Sequence, residues 1–476
     1  MGTINSAFSL ISQGLDADQS ALSIVANNVA NANTTGYTEE TPNWQQNQAV
    51  EIDGVSYGTG VTETGATSVR DRVLTERLDQ QQQLASASSS RLAALNTIQA
   101  LFTPDSGSTS STAGDIGSDI TSFFSSFSSL EADPTDNSLR QSVLSTASTL
   151  AGDISNAADS LNSQRSALDQ EASGVASQVN SLTGAIAQLN QQIESVSPNA
   201  DAGTLEDQRQ QDLSQLSKLI GINQVTTENN GLEITTTSGQ MLVANNSSYQ
   251  MTTGTVNGVT DFFVNGADIT SQLTSGGGEL GGYLTARDND IPNVLGSLDQ
   301  LANSISTSVN AQNNAGTDLD GVTGTVANPL NIFSEPAAVA GSAAGMSVVM
   351  TDPNQIAAAG STAATDGTGD SSNAKAMAAL AGQMIVSGQT PVDYYSNFVS
   401  VLGSTVSSVQ TENTAQNASV TQLQTQNNAL SSVNLNDEAA SMQQLERSYQ
   451  AASQVFTMLN TIMASALNLG DQTAVS

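Results

Sequence analysis

Apolar side chains follow the first thirty residues at alternating steps of three and four positions. The stripe consists of Ile4, Phe8, Ile11, Leu15, Leu22, Val25 and Val29. Asp18 is its one interruption. A stripe this narrow is typical of the contact line of a coiled coil, whereas a globular helix buries a wider face. The pattern therefore predicts a single N-terminal helix, which ends where Asn, Thr and Gly cluster at residues 31–36.

The last forty residues repeat this pattern and add a second apolar line. The first line consists of Met442, Leu445, Tyr449, Ala452, Phe456, Leu459, Met463 and Ala466, and the second of Val455, Ile462 and Leu469. Residues 1–40 contain four acids and no base, and residues 433–476 contain four acids and one Arg, so charge does not pair the two ends. We expect the two terminal helices to pair through apolar contacts, with the second line facing neighbouring copies. The alternative is that both helices pack on the long helices of their own chain.

Helical periodicity also runs through much of the middle of the chain. Its longest stretch extends from Leu139 to Ile193, with no proline before Pro198, and predicts a helix of roughly 58 residues, or about 85 Å. Further helices are predicted at 68–102, 116–130, 205–219, 298–309 and 373–387, and another begins at 392. The helix that begins at 392 places Asn413, Gln416 and Asn427 at core positions. Polar residues there weaken a coiled coil but fix its register.

The period of the pattern changes to two after Gly221. Short apolar runs alternate with Asn-Gly pairs at 230–231, 257–258 and 265–266, which are strong hairpin signals. The predicted fold is therefore mainly α with a β-rich insert. We expect an inner domain of paired terminal coiled-coil helices, a long-helix bundle and an outer β-containing domain. Their predicted ranges are 1–40 plus 433–476, 41–221 plus 371–432, and 222–370, respectively.

Composition excludes several classes of function. The 476 residues contain 45 acids and 11 bases, for a net charge of −34, and neither His nor Cys. Ser-His-Asp triads, Cys nucleophiles, imidazole or thiolate metal sites and disulfides are therefore impossible. The charge also argues against nucleic-acid binding, which needs clustered Lys and Arg. The sequence contains no run of 18 apolar residues, so it does not predict a membrane-spanning helix. The first residues do not resemble a cleaved signal peptide.

Four acidic or glycine-rich segments are candidates for chemistry. Asp318 with Asp320, and Asp366 with Asp370, resemble partial calcium loops but lack the closing Glu. Asp288 and Asp290 could form a carboxylate pair, although they precede a predicted helix start, where acids commonly cap. Gly276-Gly277-Gly278 has no following Lys and is not a phosphate loop. We therefore expect no catalytic residue, no cofactor and no metal, and hence no enzyme.

Both ends of the chain resemble one bacterial family. The stretch NNVANANTTGY at 27–37 and the stretch VNLNDEAA at 433–440 are similar to the terminal signatures of flagellar rod, hook and hook-associated proteins. The signature residues of the first are Asn27, Asn28, Asn31, Asn33, Thr34, Gly36 and Tyr37. Segments 205–216, 281–288 and 310–319 resemble the branch of this family that forms the hook–filament junction.

The resemblance implies a structural role and several partners. It implies a flagellar adaptor that joins the hook to the filament and permits the filament to assemble. It further implies self-association in a helical or ring assembly, contact with the hook protein and a second hook-associated protein, an export chaperone, and secretion through the flagellar type III apparatus. The terminal helices would be mobile in the monomer and would order on assembly.

Three alternatives stay open at this point. The chain could be another axial protein, such as the hook protein or hook-associated protein 3. It could be a secreted adhesive or binding module, or an extracellular hydrolase carried on an axial scaffold. A long helix at 139–193 argues against the hook protein, whose middle should be mostly β.

Overall fold

The structure is a computed structural model that describes residues 2–52, 55–103, 115–196, 201–227, 230–256, 258–360 and 369–472. Within these ranges, the side chains of residues 2–4, 52, 55 and 467–472 are not described. The predicted positions Ile4 and Leu469 fall among them. Asp366 lies outside the described residues altogether.

Eleven α-helices form within the described residues. They are α1 (Gly2–Asn31), α2 (Arg72–Ala100), α3 (Ile116–Ala132), α4 (Asn137–Val196), α5 (Thr204–Leu219), α6 (Thr270–Thr274), α7 (Gly278–Thr285), α8 (Ile291–Ala315), α9 (Ser372–Ala379), α10 (Pro391–Ser431) and α11 (Leu435–Gln472). A π-helical turn at Ala286–Asp290 joins α7 to α8, and 3₁₀ turns lie at Pro353–Gln355 and Leu380–Gly382. The long helix predicted from Leu139 is confirmed as the 60-residue α4.

Eleven short strands form four antiparallel sheets within the described residues. They are β1 (Glu40–Gln46), β2 (Val50–Ile52), β3 (Val55–Tyr57), β4 (Val61–Ser68), β5 (Ile222–Thr226), β6 (Leu232–Thr236), β7 (Met241–Ala244), β8 (Ser247–Ser248), β9 (Met251–Val256), β10 (Val259–Val264) and β11 (Ala267–Asp268). The strand orders are β1-β4, β2-β3, β5-β6-β7-β8 and β11-β10-β9. Asn230, Asn265 and Gly258 have positive φ values, as hairpin turns at the Asn-Gly pairs require.

Two hydrophobic cores lie along α4. The first half of α4 packs with α3, α8 and the N-terminal half of α10, and the three Phe residues of α3 are fully buried there. The second half packs with α5, α6, α7 and the sheets of β5–β11. The fold is therefore mainly α, with a β-containing insert carried on one end of a long helix.

The insert differs in detail from the sequence pattern. Its strands end at Asp268, and the chain from Ala286 to Ala358 joins the first core, with Ile305 and Phe333 fully buried. A helix was predicted within this stretch at 298–309, but from residue 311 onward the chain is rich in Gly, Ala and Asn and shows no clear period. The division of the chain into three domains at 40, 221, 370 and 432 stays a prediction.

The helix predicted at 373–387 is shorter than expected. It ends at Ala379, and Ser387 and Gly388 then adopt positive φ values in a tight turn that pairs Val386 with Gln389. Val386 is fully buried by this turn. The turn leads directly into Pro391, the first residue of α10, so the apolar residues before it belong to a buried loop and not to a longer helix.

Candidate subunit-interface site at the paired termini

The two ends of the chain pack against each other. Helix α11 contacts chiefly α1, and α1 contacts β1 and β4 in addition. The rings of Phe8 and Phe456 lie 4.4 Å apart between centroids, near the free end of the pair. Because α1 and α11 lie more than 400 residues apart in sequence, their pairing closes the chain into one unit.

Most of the predicted contact-line residues are partly buried. On α1, Val25 is buried, and Phe8, Ile11, Leu15 and Leu22 are half-buried. On α11, the half-buried positions are Met442, Leu445, Phe456, Leu459 and Met463. No apolar side chain in the described part of α11 is fully buried. A helix that buries its apolar face only this far has capacity for further contacts.

Two predicted contact-line positions are exposed instead. Val29 is 39% exposed and Tyr449 is 38% exposed. On α1 the buried positions are Ala17, Ala21, Val25 and Asn28, and of these four only Val25 belongs to the predicted apolar stripe. The reason is that Asn28, and not Val29, faces α11 and makes the polar contacts described below.

The second apolar line of α11 is exposed. Val455 is 46% exposed and Ile462 is 47% exposed, and Met458 beside them is 63% exposed. These three residues, here called the outer stripe, lie on one side of a helix whose other side packs on α1. Apolar patches of this kind commonly mark interaction surfaces.

Asn28 joins four parts of the chain. Its Nδ2 donates 2.8 Å hydrogen bonds to the Glu40 carbonyl oxygen and to Glu438 Oε1. Its Oδ1 accepts from the Tyr37 hydroxyl at 2.8 Å and from the Glu40 backbone N–H at 3.0 Å. Asn28 is only 1% exposed. This one amide therefore links α1, the following loop, β1 and α11 with no hydrogen-bonding capacity left over.

The other signature residues shape the turn that follows α1. Asn31 Nδ2 donates to Asn27 Oδ1 at 2.8 Å, and the Thr34 hydroxyl donates to Asn31 Oδ1 at 3.2 Å. Gly36 has a φ of 81°, and a side chain there would collide with Gln211. Asn33 is exposed. The signature thus ends the helix and turns the chain towards α5.

A second polar cluster fixes this turn to α5. Asp207 accepts hydrogen bonds from the Thr38 backbone N–H and hydroxyl at 2.9 and 2.7 Å. Arg70 donates to Glu206 and Asp207, both at 2.5 Å. Segment 205–216 resembles the family in sequence, but its pattern alone indicates no role for these charged residues. Their burial, at 2% and 7% exposure for Glu206 and Asp207, has no signal in a hydrophobic pattern.

Crowded acids set the electrostatics of this region. Burial, followed by the charge of Glu40, raises the pKa of the Tyr37 hydroxyl well above its usual value. Burial also raises the pKa of Glu40, with Asp201 and Asp207 adding to the effect. The pKa of Glu438 is raised, chiefly by burial. These groups are arranged for hydrogen bonding between elements, and a neutral Tyr37 can keep donating to Asn28 over a wide pH range.

The residues considered for chemistry have structural partners. Asp290 accepts two hydrogen bonds from Arg91, and Asp288 accepts two from Arg287. Asp318 accepts from the backbone N–H groups two and four residues later, so it stabilises its own turn. Among the described residues, no group of three or more acids is placed to hold a metal ion. No helix there is long and apolar enough to cross a membrane.

Comparisons with known proteins point to one kind of protein. A family described as flagellar hook-associated protein FlgK helical domain matches residues 106–326, and a second, flagella basal body rod protein, matches residues 12–38. The flagellar hook-associated protein 1 of Salmonella typhimurium is 25% identical over 96% of this chain and 98% of its own length. That of Escherichia coli is 25% identical over 98% and 99%.

A solved structure has the same fold. The flagellar hook junction protein FlgK from Burkholderia pseudomallei superposes with a TM-score of 0.63 at 19% identity. The match covers 74% of this chain and 99% of that chain.

Proposed function

Because the chain belongs to the family of flagellar hook-associated protein 1, we propose that it is a structural adaptor that joins the hook of the bacterial flagellum to the filament and permits the filament to assemble. The observation that carries the proposal is the pairing of α1 with α11, which leaves the outer stripe of α11 exposed. An adaptor between two polymers needs such a surface, since each copy must contact others.

Self-association follows from the same surface. Fully burying a large aliphatic side chain contributes about 1.5–3 kcal/mol, so the half-buried contact line and the outer stripe together can order the terminal helices on assembly. We propose that copies associate in a ring or helical layer through these helices. The further partners would be the hook protein on one side and a second hook-associated protein on the other.

Export is part of the proposed role. We propose that the chain is secreted through the flagellar type III apparatus, with an export chaperone, and acts outside the cell. Terminal helices that are mobile before assembly would suit passage through a narrow channel. The terminal inner domain, the long-helix bundle and the outer insert would then form successive parts of the assembled subunit.

The adaptor role requires no catalysis. The chain lacks His and Cys, and the acids that could have formed a carboxylate pair, Asp288 and Asp290, are each held by an arginine. We propose that the protein is not an enzyme. The secreted-module and hydrolase alternatives gain no specific support from the geometry of the described residues.

Deletion of the gene tests the proposal. We expect intact hooks without filaments and unpolymerised flagellin in the medium, because filament subunits would have no base on which to assemble. A plasmid copy of the full chain should restore filaments, as seen by electron microscopy. Normal filaments in the deletion strain would contradict the proposal, and loss of the hooks themselves would indicate the hook-protein alternative.

A further inference from the structure

Basic residues are scarce in this chain and are unevenly distributed. Five of the eleven lie just before α2, in its first two turns or on α5: Arg70, Arg72, Arg77, Arg209 and Lys218. Three of these five, Arg70, Arg72 and Arg209, line one cavity of about 320 Å³. The cavity lies between α2, α5 and the strands β5 and β6. Here it is called the arginine cavity.

The buried acid at this cavity is already saturated with donors. Glu206 Oε2 accepts from Arg70 at 2.5 Å and from Arg72 at 3.3 Å. Its Oε1 accepts from Asn230 Nδ2 at 2.5 Å and from the Ala202 backbone N–H at 3.2 Å. The side chain of Glu206 is 1% exposed. It therefore has little capacity to neutralise a second or third guanidinium.

Within the described residues, two of the three arginines consequently keep unused hydrogen-bond donors. Arg72 is 58% exposed along its side chain, and its contact with Glu206 is the single ion pair it makes within the described residues. Arg209 is buried and donates to two neutral oxygens, Asn190 Oδ1 at 2.9 Å and the Asn230 carbonyl at 2.7 Å. Burial lowers the pKa of Arg209 to about 10; Glu206 opposes this effect, and the charges of Arg70 and Arg72 add to it. The field at this position therefore favours an added negative charge.

We infer that the arginine cavity accepts the carboxylate of an Asp or Glu side chain from a second copy of this chain in the assembly. The inference rests on the proposed function, which brings copies together. A guanidinium fork binds a carboxylate in a planar, two-bond arrangement, and among the described residues the Arg72 guanidinium donates to Glu206 alone.

The charge of the chain indicates a second copy as the occupant. With 45 acids against 11 bases, facing surfaces of neighbouring copies carry mostly like charge. Like charges brought together destabilise an interface, whereas a complementary pair fixes its register. At the arginine cavity, an acidic side chain of the next copy would form a hydrogen-bonded ion pair instead of being repelled.

Charge reversal at Arg72 tests this site. In the deletion strain, Arg72→Glu should be exported but should occupy at least tenfold fewer hook tips than wild type, counted by antibody labelling. Arg77→Glu is the matched control, since Arg77 lies on the same helix, is exposed and does not line the cavity. It should assemble like wild type. Arg72→Lys, which keeps the charge without the fork, should give an intermediate value.

Folding is checked independently. Purified Arg72→Glu and Arg77→Glu chains should have the same helical circular dichroism and thermal midpoint as wild type. If Arg72→Glu fails to fold, Arg72→Gln replaces it, and the same loss of hook-tip occupancy is expected. Occupancy by the folded Arg72 variants equal to that of Arg77→Glu would overturn the inference, and would leave the adaptor role untouched if the deletion strain lacks filaments.

Two further arms identify the occupant. Suppressors of Arg72→Glu should replace an acid by a neutral or basic residue elsewhere in the same gene, because the partner is a second copy. Suppressors confined to other genes would overturn the second-copy occupant. The second-copy occupant would also be overturned by the following result: sulfate raises the thermal midpoint of wild type but not that of Arg72→Gln, and Arg72→Gln occupies hook tips normally. The cavity would then bind a free anion.

Discussion

The contacts of Asn28 explain why an amide side chain lies where α1, β1 and α11 meet. The site requires two donors, towards the Glu40 carbonyl and Glu438, and an acceptor for both the Tyr37 hydroxyl and the Glu40 N–H. A carboxylate lacks the donors, and a hydroxyl has one donor at most. Of the short side chains, only that of Asn offers both functions in a planar geometry, so the residue is explained by its hydrogen bonds.

Replacement of Asn28 by Asp should weaken the pairing of the chain ends. The change removes both donors and places a carboxylate directly against that of Glu438, so we expect a loss of about 2–3 kcal/mol from the docking of α11 on α1. The measurement is the fraction of hooks that carry a filament in the complemented deletion strain, which should fall sharply.

Asn33→Asp provides the control for this change. Asn33 belongs to the same signature but is exposed, so the added charge meets water. Equal filament counts for the Asn28 and Asn33 variants would contradict the role assigned to the Asn28 amide.

The apolar pattern of the sequence could not by itself predict the role of Asn28 or its partner on α11. The apolar period predicted Val29 in the contact line, because a hydrophobic pattern ranks apolar side chains and ignores a polar one beside them. The partner of Asn28 lies 410 residues away on another helix. Its importance was indicated only by the family resemblance, and its role became visible with the geometry.

Among the elements, α2 buries an unusual face. Val73 is 62% exposed and Leu84 is 49% exposed, although both fit its helical stripe. The buried side of its first half combines Leu78 and Ala85 with three polar side chains, Asp79, Gln82 and Gln83. These side chains bond to Gln210, Ser214 and the Ile222 carbonyl, so α2 is held on α5 and β5 by hydrogen bonds. Periodicity predicted the helix, and could not predict which face is buried.

The contact between α2 and α10 is also polar over much of its length. Asn413 donates to Ser88 at 3.1 Å, Gln81 donates to Gln416, and Thr75 donates to Asn427 at 3.4 Å. The three amide positions were predicted from heptad phase alone, and the structure brings all three to α2. Here the sequence was sufficient, because the heptad phase of α10 continues unbroken from its apolar N-terminal half.

Asp79 should give the chain a pH-dependent stability. Burial raises the pKa of this carboxyl from 3.8 to about 7, opposed in part by the hydrogen bond from Gln210. The folded chain therefore holds a proton that the unfolded chain releases. The contribution of Asp79 to stability is fully present below about pH 4 and is lost as pH rises through 7.

Asp79→Asn should remove that loss. At pH 8 we expect the variant to exceed wild type by about 2–4 kcal/mol in the free energy of unfolding, and at pH 4 to match it, measured by urea titration at both pH values. Glu412→Gln removes an exposed acid from α10 and should leave the wild-type difference between the two pH values unchanged. A pH dependence in Asp79→Asn equal to that of wild type would contradict the assignment.

For the whole molecule, the long helices could be predicted from the sequence, whereas the path of the chain after α8 could not. The length of α4 follows from an unbroken apolar period. The loop around Pro353–Gln355 is instead held by Arg140, which is 1% exposed and donates to the carbonyl oxygens of Pro134, Pro353, Asn354 and Ile356. A buried arginine that binds backbone carbonyls leaves no periodic trace, so this closure of the first core could not be predicted.

The two faces of α11 should have separable functions in assembly. Leu459 lies half-buried against α1, and Ile462 lies on the outer stripe. Leu459→Asp places a charge within the contact line of one copy, whereas Ile462→Asp places it where a neighbouring copy would pack. Both should leave the body of the monomer folded, because the two cores along α4 include neither residue.

We therefore expect both variants to be exported and to be absent from hook tips, for different reasons. An engineered crosslink between α1 and α11 within one copy should form in Ile462→Asp and fail in Leu459→Asp. The reason is that only Leu459→Asp disrupts the packing of α11 on α1 within one copy. Thr461→Asp, on an exposed polar position of the same helix, should assemble normally. Normal assembly of Ile462→Asp would show that the outer stripe faces solvent in the flagellum, and the self-association proposed here would then need another surface.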